Sequence, residues 1–293
     1  MSTETISNLV GSSQCHAVTS DSLKDDDNAA WVLWVDLPAR LEWIERMSWV
    51  RLVDRLAESE LVDGHDTGFQ VFRKSWKHLL STGQVRPEGD YQGILTKVHS
   101  RWFQGSQWDI ASIQAWDRYV DAIAVYHQPG LTIATLNEHE DMLQRLAGSF
   151  SQVLPYLPTA YRDAIFHFGA LDQFYNNLRD LAEDASRGIC YLPTGLLQQY
   201  GLTRQNILTA DCCHTLGYQR FMQFWLDEYL PCLRQQVREL VVAHDLPPSW
   251  KLLRDWSLQR YDRIERVFRQ CEYDYVEFPK IYWAEVRHYL GKT

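Results

Sequence analysis

Asn176, Asp180 and Asp184 recur every four residues along a stretch of helical character, with Arg179 between them and Gly188 and Pro193 closing the segment. A helix rises about 1.5 Å per residue, so this spacing stacks an amide and two carboxylates on one face, the carboxylates ~6 Å apart along the axis. Like charges one turn apart weaken an isolated helix by roughly 0.2–0.5 kcal/mol. A hard dication removes that penalty. Mg2+ takes one or two carboxylates per ion, keeps several waters and usually completes its shell with substrate phosphate oxygens. Arg179 suits the same chemistry, because a guanidinium grips phosphate through paired hydrogen bonds. For this group alone a solvated acidic face is the plainer account.

A second group changes the balance. The segment RLVDRLAE places Arg51, Asp54 and Glu58 at spacings of three and four, again one arginine and two carboxylates with apolar residues between. Two such helices facing each other across a bundle would cage a diphosphate and its Mg2+ ions. Taken alone, Arg51 and Asp54 pair with each other at the surface.

The elements that must hold these groups read as helices throughout. ARLEWIERMSWVRLVDRLAESELV sets Leu41, Ile44, Trp49, Leu52, Val53 and Leu56 at helical spacing until Gly64. Further helical stretches are expected near 67–81, 108–127, 136–154, 160–185, 203–243 and 249–270, with a last helix after Pro279. Strand patterns are scarce and no repeat is evident. The expectation is an all-α, single-domain helical bundle over 30–293, preceded by a flexible Ser/Thr/Asp-rich tail over 1–29 that contains Asp25, Asp26 and Asp27.

Composition narrows the class. Of the 293 residues 45% are apolar and 23% charged, as in a soluble globular protein, and 12 Trp, 15 Tyr and 11 Phe supply aromatic surface. A net charge of −9 argues against nucleic acid as a partner. No start of the secretory type and no apolar run of bilayer length is present, so a cytoplasmic protein is expected, with peripheral membrane contact left open. The run Cys212-Cys213-His214 invites a metal, but neighbouring side chains on a helix diverge, and buried thiols are the simpler reading. His127 or His139 has the titration range of a base, though each more simply serves packing or solvent. Asn137 in NEHED reads as a helix cap, and Trp31 and Trp34 either dock the tail over the site or cover the bundle end.

QFYNNLRDLAEDASRGICYLP resembles the second aspartate-rich signature of the squalene/phytoene synthases, with Gln173, Asn176, Arg179, Asp180, Glu183, Asp184, Gly188, Tyr191, Leu192 and Pro193 in register. RLVDRLAE is similar to the first signature, Glu58 replacing its last aspartate, and YDRIERVFRQCEYDY resembles the closing helix through Tyr261 and Tyr273. The resemblance spans about residues 37–290 and implies a class I isoprenoid synthase fold. It implies Asp54, Glu58, Asn176, Asp180 and Asp184 as Mg2+ ligands, with Asp54, Asp180 and Asp184 catalytic. Arg51, Gln173, Asn176, Arg179, Tyr191 and Tyr261 are then implied to bind a prenyl diphosphate, whose prenyl group is joined to a second molecule, either another prenyl diphosphate or a non-prenyl acceptor.

Some positions depart from the family. AVYHQPGL and EDMLQRLAG stand where it carries an aspartate and a tyrosine-rich run, WVLWVDLP replaces a Ser/Phe phosphate-binding element, and Ile189 takes a basic position. These are positions where a second prenyl diphosphate would be handled. Cyclisation of one prenyl diphosphate, or a binding or assembly role without catalysis, are therefore the alternatives.

Overall fold

A computed structural model describes residues 18–62, 64, 67–87, 89–105, 108–128 and 130–291. All regular structure among them is helical: α1 (Val18–Ala29), α2 (Leu37–Ala57), α3 (Gly68–Thr82), α4 (Gln92–Trp102), α5 (Ile110–Tyr126), α6 (Leu136–Leu143), α7 (Arg162–Arg179) and α8 (Leu181–Ser186). The second half holds α9 (Thr194–Gln199), α10 (Arg204–Thr209), α11 (Leu216–Phe224), α12 (Leu230–Gln236), α13 (Arg238–Val242), α14 (Pro248–Gln270) and α15 (Phe278–Tyr289). The all-α bundle expected from the apolar spacing is what forms.

The caps explain where several elements begin. Asp36 accepts the Ala39 amide hydrogen at 3.2 Å, and Pro38 stands in the first turn of α2, where its missing N–H costs nothing. The inner face of α2 is Trp43, Arg46, Trp49, Val53 and Ala57, so Leu41, expected inside, lies exposed. Trp43 sets this seam by packing edge-on between Trp31 and Trp250, at centroid distances of 4.9 and 5.4 Å. Indole pairs of that geometry add to burial. Arg46 shares the face as a cation over the Trp49 ring (4.3 Å), and burial lowers its guanidinium to about 10.

Two further expectations are corrected. The helix expected over 203–243 is interrupted after α10, where Ala210 adopts a left-handed φ of 57° and Thr215 caps α11. Cys212 and Cys213 are buried in that turn and His214 is exposed, so they share no ion. The tail expected over 1–29 is helical from Val18, and Asp27 is fully buried; its first seventeen residues lie outside the described ones. Asp27 accepts from Arg263 (2.5 Å) and the Tyr282 hydroxyl (2.6 Å) and lies 3.5 Å from Arg179. An acidic run reads as solvated only until buried arginines are found to face it.

Close backbone approach positions α7. After α6 the chain continues through a wide π turn, Gln144–Gly148, into Ser149–Ser151. A Cβ on Gly169 would stand 2.2 Å from the Ala147 carbonyl oxygen, so only glycine permits this contact. A second π turn, Glu58–Val62, follows α2 at the first acidic group.

Candidate active site

One cavity of about 590 Å³ collects both acidic groups. Asp54 and Glu58 enter from α2 and its π turn, and Asn176, Asp180 and Asp184 enter from α7 and α8. Lys24, Arg51 and Arg187 bring positive charge to the same cavity. The remaining lining is mostly apolar and aromatic, including Trp31, Trp43, Met47, Tyr119, Leu146, Phe150, Leu154, Phe168, Trp250 and Leu253.

The carboxylates sit in unlike environments. Asp180 marks the junction of α7 and α8, yet the i to i−4 ladder runs through it, its amide donating to Asn176 O and Asp184's amide donating to Asp180 O, both at 2.9 Å. Burial pushes the Asp180 carboxyl up, but the Arg179 charge and fork (2.9 and 2.8 Å) and Lys24 at 3.5 Å outweigh it and hold it below its ordinary range. Asp184 has no such fork: burial and the Asp180 charge push it well above the carboxylate range. On α2, burial raises Asp54, and the hydrogen bond from His127 Nε2 to Oδ1 (3.2 Å) together with Arg51 brings it back below its ordinary value. Glu58 is raised by burial and by Asp54, against Arg187 at 3.6 Å. The Tyr191 phenol is driven far up by burial and by Asp184, Asp54 and Glu58, so it remains neutral while feeling carboxylates of both groups.

Most residues singled out in the sequence meet here: Arg51, Asp54, Glu58, Gln173, Asn176, Arg179, Asp180, Asp184 and Tyr191 all line the cavity. Two of the expected binding residues have protein partners here. Arg179 is 4% exposed and is engaged by Asp180, Asp27 and Asn28, so it holds a carboxylate and the docked α1. Tyr261 does not line the cavity; it is buried behind Asp172, to which its hydroxyl donates at 2.6 Å. The surface pair Arg51–Asp54 is stretched to 4.0 Å, while Arg51 reaches Asp25 at 3.3 Å.

Other sequence expectations sort cleanly. His127 faces the cavity, whereas His139 is buried beside Trp225 and Tyr229, where burial lowers it to about 3 and keeps it neutral. Thr135, and not Asn137, caps α6. Trp31 lines the cavity and Trp34 stays exposed against Trp256. Lys24, Asp25 and Asn28 were hidden by the tail-like composition of their segment. Asp172 was not hidden, since it stands four residues before Asn176 and extends the same stack.

The donor set suits a hard cation. Among the described residues no three His, Cys, Asp or Glu side chains converge into a ready-made cage. Each group instead offers two carboxylates, the number Mg2+ takes from protein when phosphate oxygens supply the rest. Asn176 adds an amide oxygen that is buried without a hydrogen-bond partner, a group whose burial is costly until a cation or donor meets it.

Comparison with known proteins agrees with this geometry. The family model described as squalene/phytoene synthase matches residues 48–285. A 15-cis-phytoene synthase of Synechococcus elongatus is 34% identical over 246 residues, covering 77% of this chain and 74% of its own. Among solved structures, a dehydrosqualene synthase in complex with ligand superposes with a TM-score of 0.66 at 14% identity, over 92% of this chain and 93% of that one. Squalene synthase HpnC from Alicyclobacillus acidocaldarius gives a TM-score of 0.67 at 16% identity, with the same coverage. The chain therefore belongs to the squalene/phytoene synthase family, transferases that act on prenyl diphosphates, and has the class I isoprenoid synthase fold.

Proposed function

We propose that the cavity binds a prenyl diphosphate with Mg2+ and joins its prenyl group to a second prenyl diphosphate. The observation that carries this reading is a single cavity holding two carboxylate groups together with apolar and aromatic walls. Asp54, Glu58, Asp180, Asp184 and the Asn176 oxygen would hold the metal. Bound Mg2+ supplies the charge that turns diphosphate into a leaving group.

The chain's own residues account for the rest. Lys24, Arg51 and Arg187 lie where developing oxyanion charge would be met. Departure of diphosphate leaves an allylic cation, which needs a water-poor surface with aromatic faces, and Trp31, Trp43, Tyr119, Phe150, Phe168 and Trp250 provide one. The neutral Tyr191 phenol lies among the carboxylates as a hydrogen-bond donor. A product of two joined prenyl chains partitions into lipid, so peripheral membrane contact belongs to the same proposal; no helix among the described residues is long and apolar enough to cross a bilayer.

The test is incubation with Mg2+ and prenyl diphosphates of ten, fifteen and twenty carbons, with products read by mass spectrometry. A product of two prenyl units is expected. A cyclised single unit would move the assignment to a cyclase, and no product from any chain length would move it to a binding role. Asp180→Asn is expected to abolish turnover with the fold kept, because Arg179 retains Asp27 and Asn28. Full activity in that variant would remove Asp180 from the site.

A further inference from the structure

The stack of polar residues on α7 extends one turn further back than its signature, to Asp172, which lines the same cavity. The two oxygens of this carboxylate have separate partners. Oδ1 accepts from the Tyr261 hydroxyl at 2.6 Å and from Arg260, while Oδ2 accepts from Asn176 Nδ2 at 3.0 Å. Only the nitrogen of an amide can donate to a carboxylate, so this bond decides which way the Asn176 side chain faces. Its Oδ1 is thereby left on the side away from Asp172, where Asp180 follows one turn on, and it is buried with no donor.

The partners of Asp172 are themselves fixed. Arg260 is 2% exposed and also donates to Asn28. Tyr261 is buried and stacked on Tyr175, with ring centroids 4.3 Å apart and planes 5° from parallel. Asp172 is therefore held from α14 independently of Asn176, and the direction of control runs from Asp172 to the amide.

We propose that Asp172 is the positioning residue that turns the Asn176 amide so that its oxygen faces the bound cation. This inference rests on reading the cavity as a Mg2+–diphosphate site. Asp172 makes no contact with metal or substrate in this role, because its oxygens are engaged by Arg260, Tyr261 and Asn176. Supporting groups of this kind orient metal ligands and are commonly worth ten- to a hundred-fold in affinity.

The chemistry of the amide makes the idea sharply testable. In Asp172→Asn, Arg260 can only donate, so the new side chain must show it the carbonyl oxygen and present its NH2 to Asn176. Asn176 must then turn over to accept that hydrogen bond, and its own NH2 replaces the oxygen at the cation position. Exchanging the two residues, Asp172→Asn with Asn176→Asp, restores an oxygen there: one carboxylate oxygen accepts from residue 172 and the other faces the cation. Net charge is unchanged by the exchange.

Mg2+ binding in the presence of inorganic diphosphate is read by isothermal titration calorimetry, with the thermal shift as a second readout and no turnover required. Asp172→Asn is expected to weaken Mg2+ binding at least about tenfold, and the exchange to return it to within about threefold of the native chain. Native-like binding by Asp172→Asn overturns the inference, as does a loss that the exchange leaves unrepaired. Should the single variant fail to fold, the exchange alone decides, binding supporting the inference and loss overturning it. A native chain that binds no Mg2+ overturns the reading of the cavity and this inference together, whereas native binding that Asp172→Asn leaves intact overturns only the inference.

Discussion

Asp180 and Asp184 are the same residue type one turn apart, and the fold treats them in opposite ways. Asp180 is ionised against Arg179, while Asp184 is pushed well above the carboxylate range by burial and by its neighbour's charge. A carboxyl whose pKa rises on folding leaves stability intact below its unfolded value near 4 and takes it away as pH climbs through the folded value. Asp184→Asn is therefore expected to raise the Tm of the ligand-free chain at about pH 7.5 by on the order of 2–4 °C, with the gain vanishing towards about pH 4. Mg2+ with inorganic diphosphate is expected to raise the Tm of the native chain, and the same variant is expected to lose that rise. Differential scanning fluorimetry across pH, with and without those ligands, checks both halves; an unchanged ligand response would remove Asp184 from the site. At this scale the signature was legible, because spacing alone placed Asn176, Asp180 and Asp184 on one face. What spacing does not carry is which charge each group meets: Arg179 looked free for phosphate until Asp27 and Asp180 were found on it.

Among the elements, α7 bears most of the weight, since it carries Asp172, Gln173, Asn176 and the approach to Asp180. Its depth in the bundle is set by Gly169 against the Gln144–Gly148 turn, where a Cβ would meet the Ala147 carbonyl oxygen and carbon at 2.2 and 2.7 Å. These are backbone atoms, which cannot swing aside. Gly169→Ala is expected to cost about 1–3 kcal/mol or more by overpacking, to lower Tm, and to weaken Mg2+–diphosphate binding by displacing the α7 face. Urea unfolding and a ligand thermal shift measure the two effects; a Tm and ligand response equal to native would mean that α7 is not held there. Long amphipathic helices such as α5 and α14 were legible from periodicity. Helix α4 was missed, and its entry through Tyr91 at a φ of 62° is not one that residue type announces. The break at Ala210 was missed for the same reason: a left-handed alanine is imposed by tertiary packing against its own preference.

Seen whole, the molecule does not begin where its composition changes. A domain cut at residue 30 discards Asp27 and Asn28, leaving Arg179, Arg260 and Arg263 without those partners. Removing one side of a buried ion pair costs about 3–5 kcal/mol, so a chain beginning at Ala30 is expected to melt on the order of 10 °C lower, or not to fold cooperatively. A melting temperature within about 2 °C of the native chain would show α1 to be dispensable. The composition of residues 1–29 resembled a solvated tail because acidic runs are ambiguous until their counter-charges are located in space.

The docking of α1 also has a meaning in time. Asp27 and Asn28 are joined to Trp256, Arg260, Arg263 and Tyr282, contacts that span 229, 232, 236 and 255 residues of sequence. Loops of that length close late, after local helix pairs have formed. During synthesis α1 emerges before α14 and α15, and its contacts with those two helices must wait until both exist. The wall of the cavity to which Lys24 belongs is thus made before the helices it docks on and is among the last parts to be set in place.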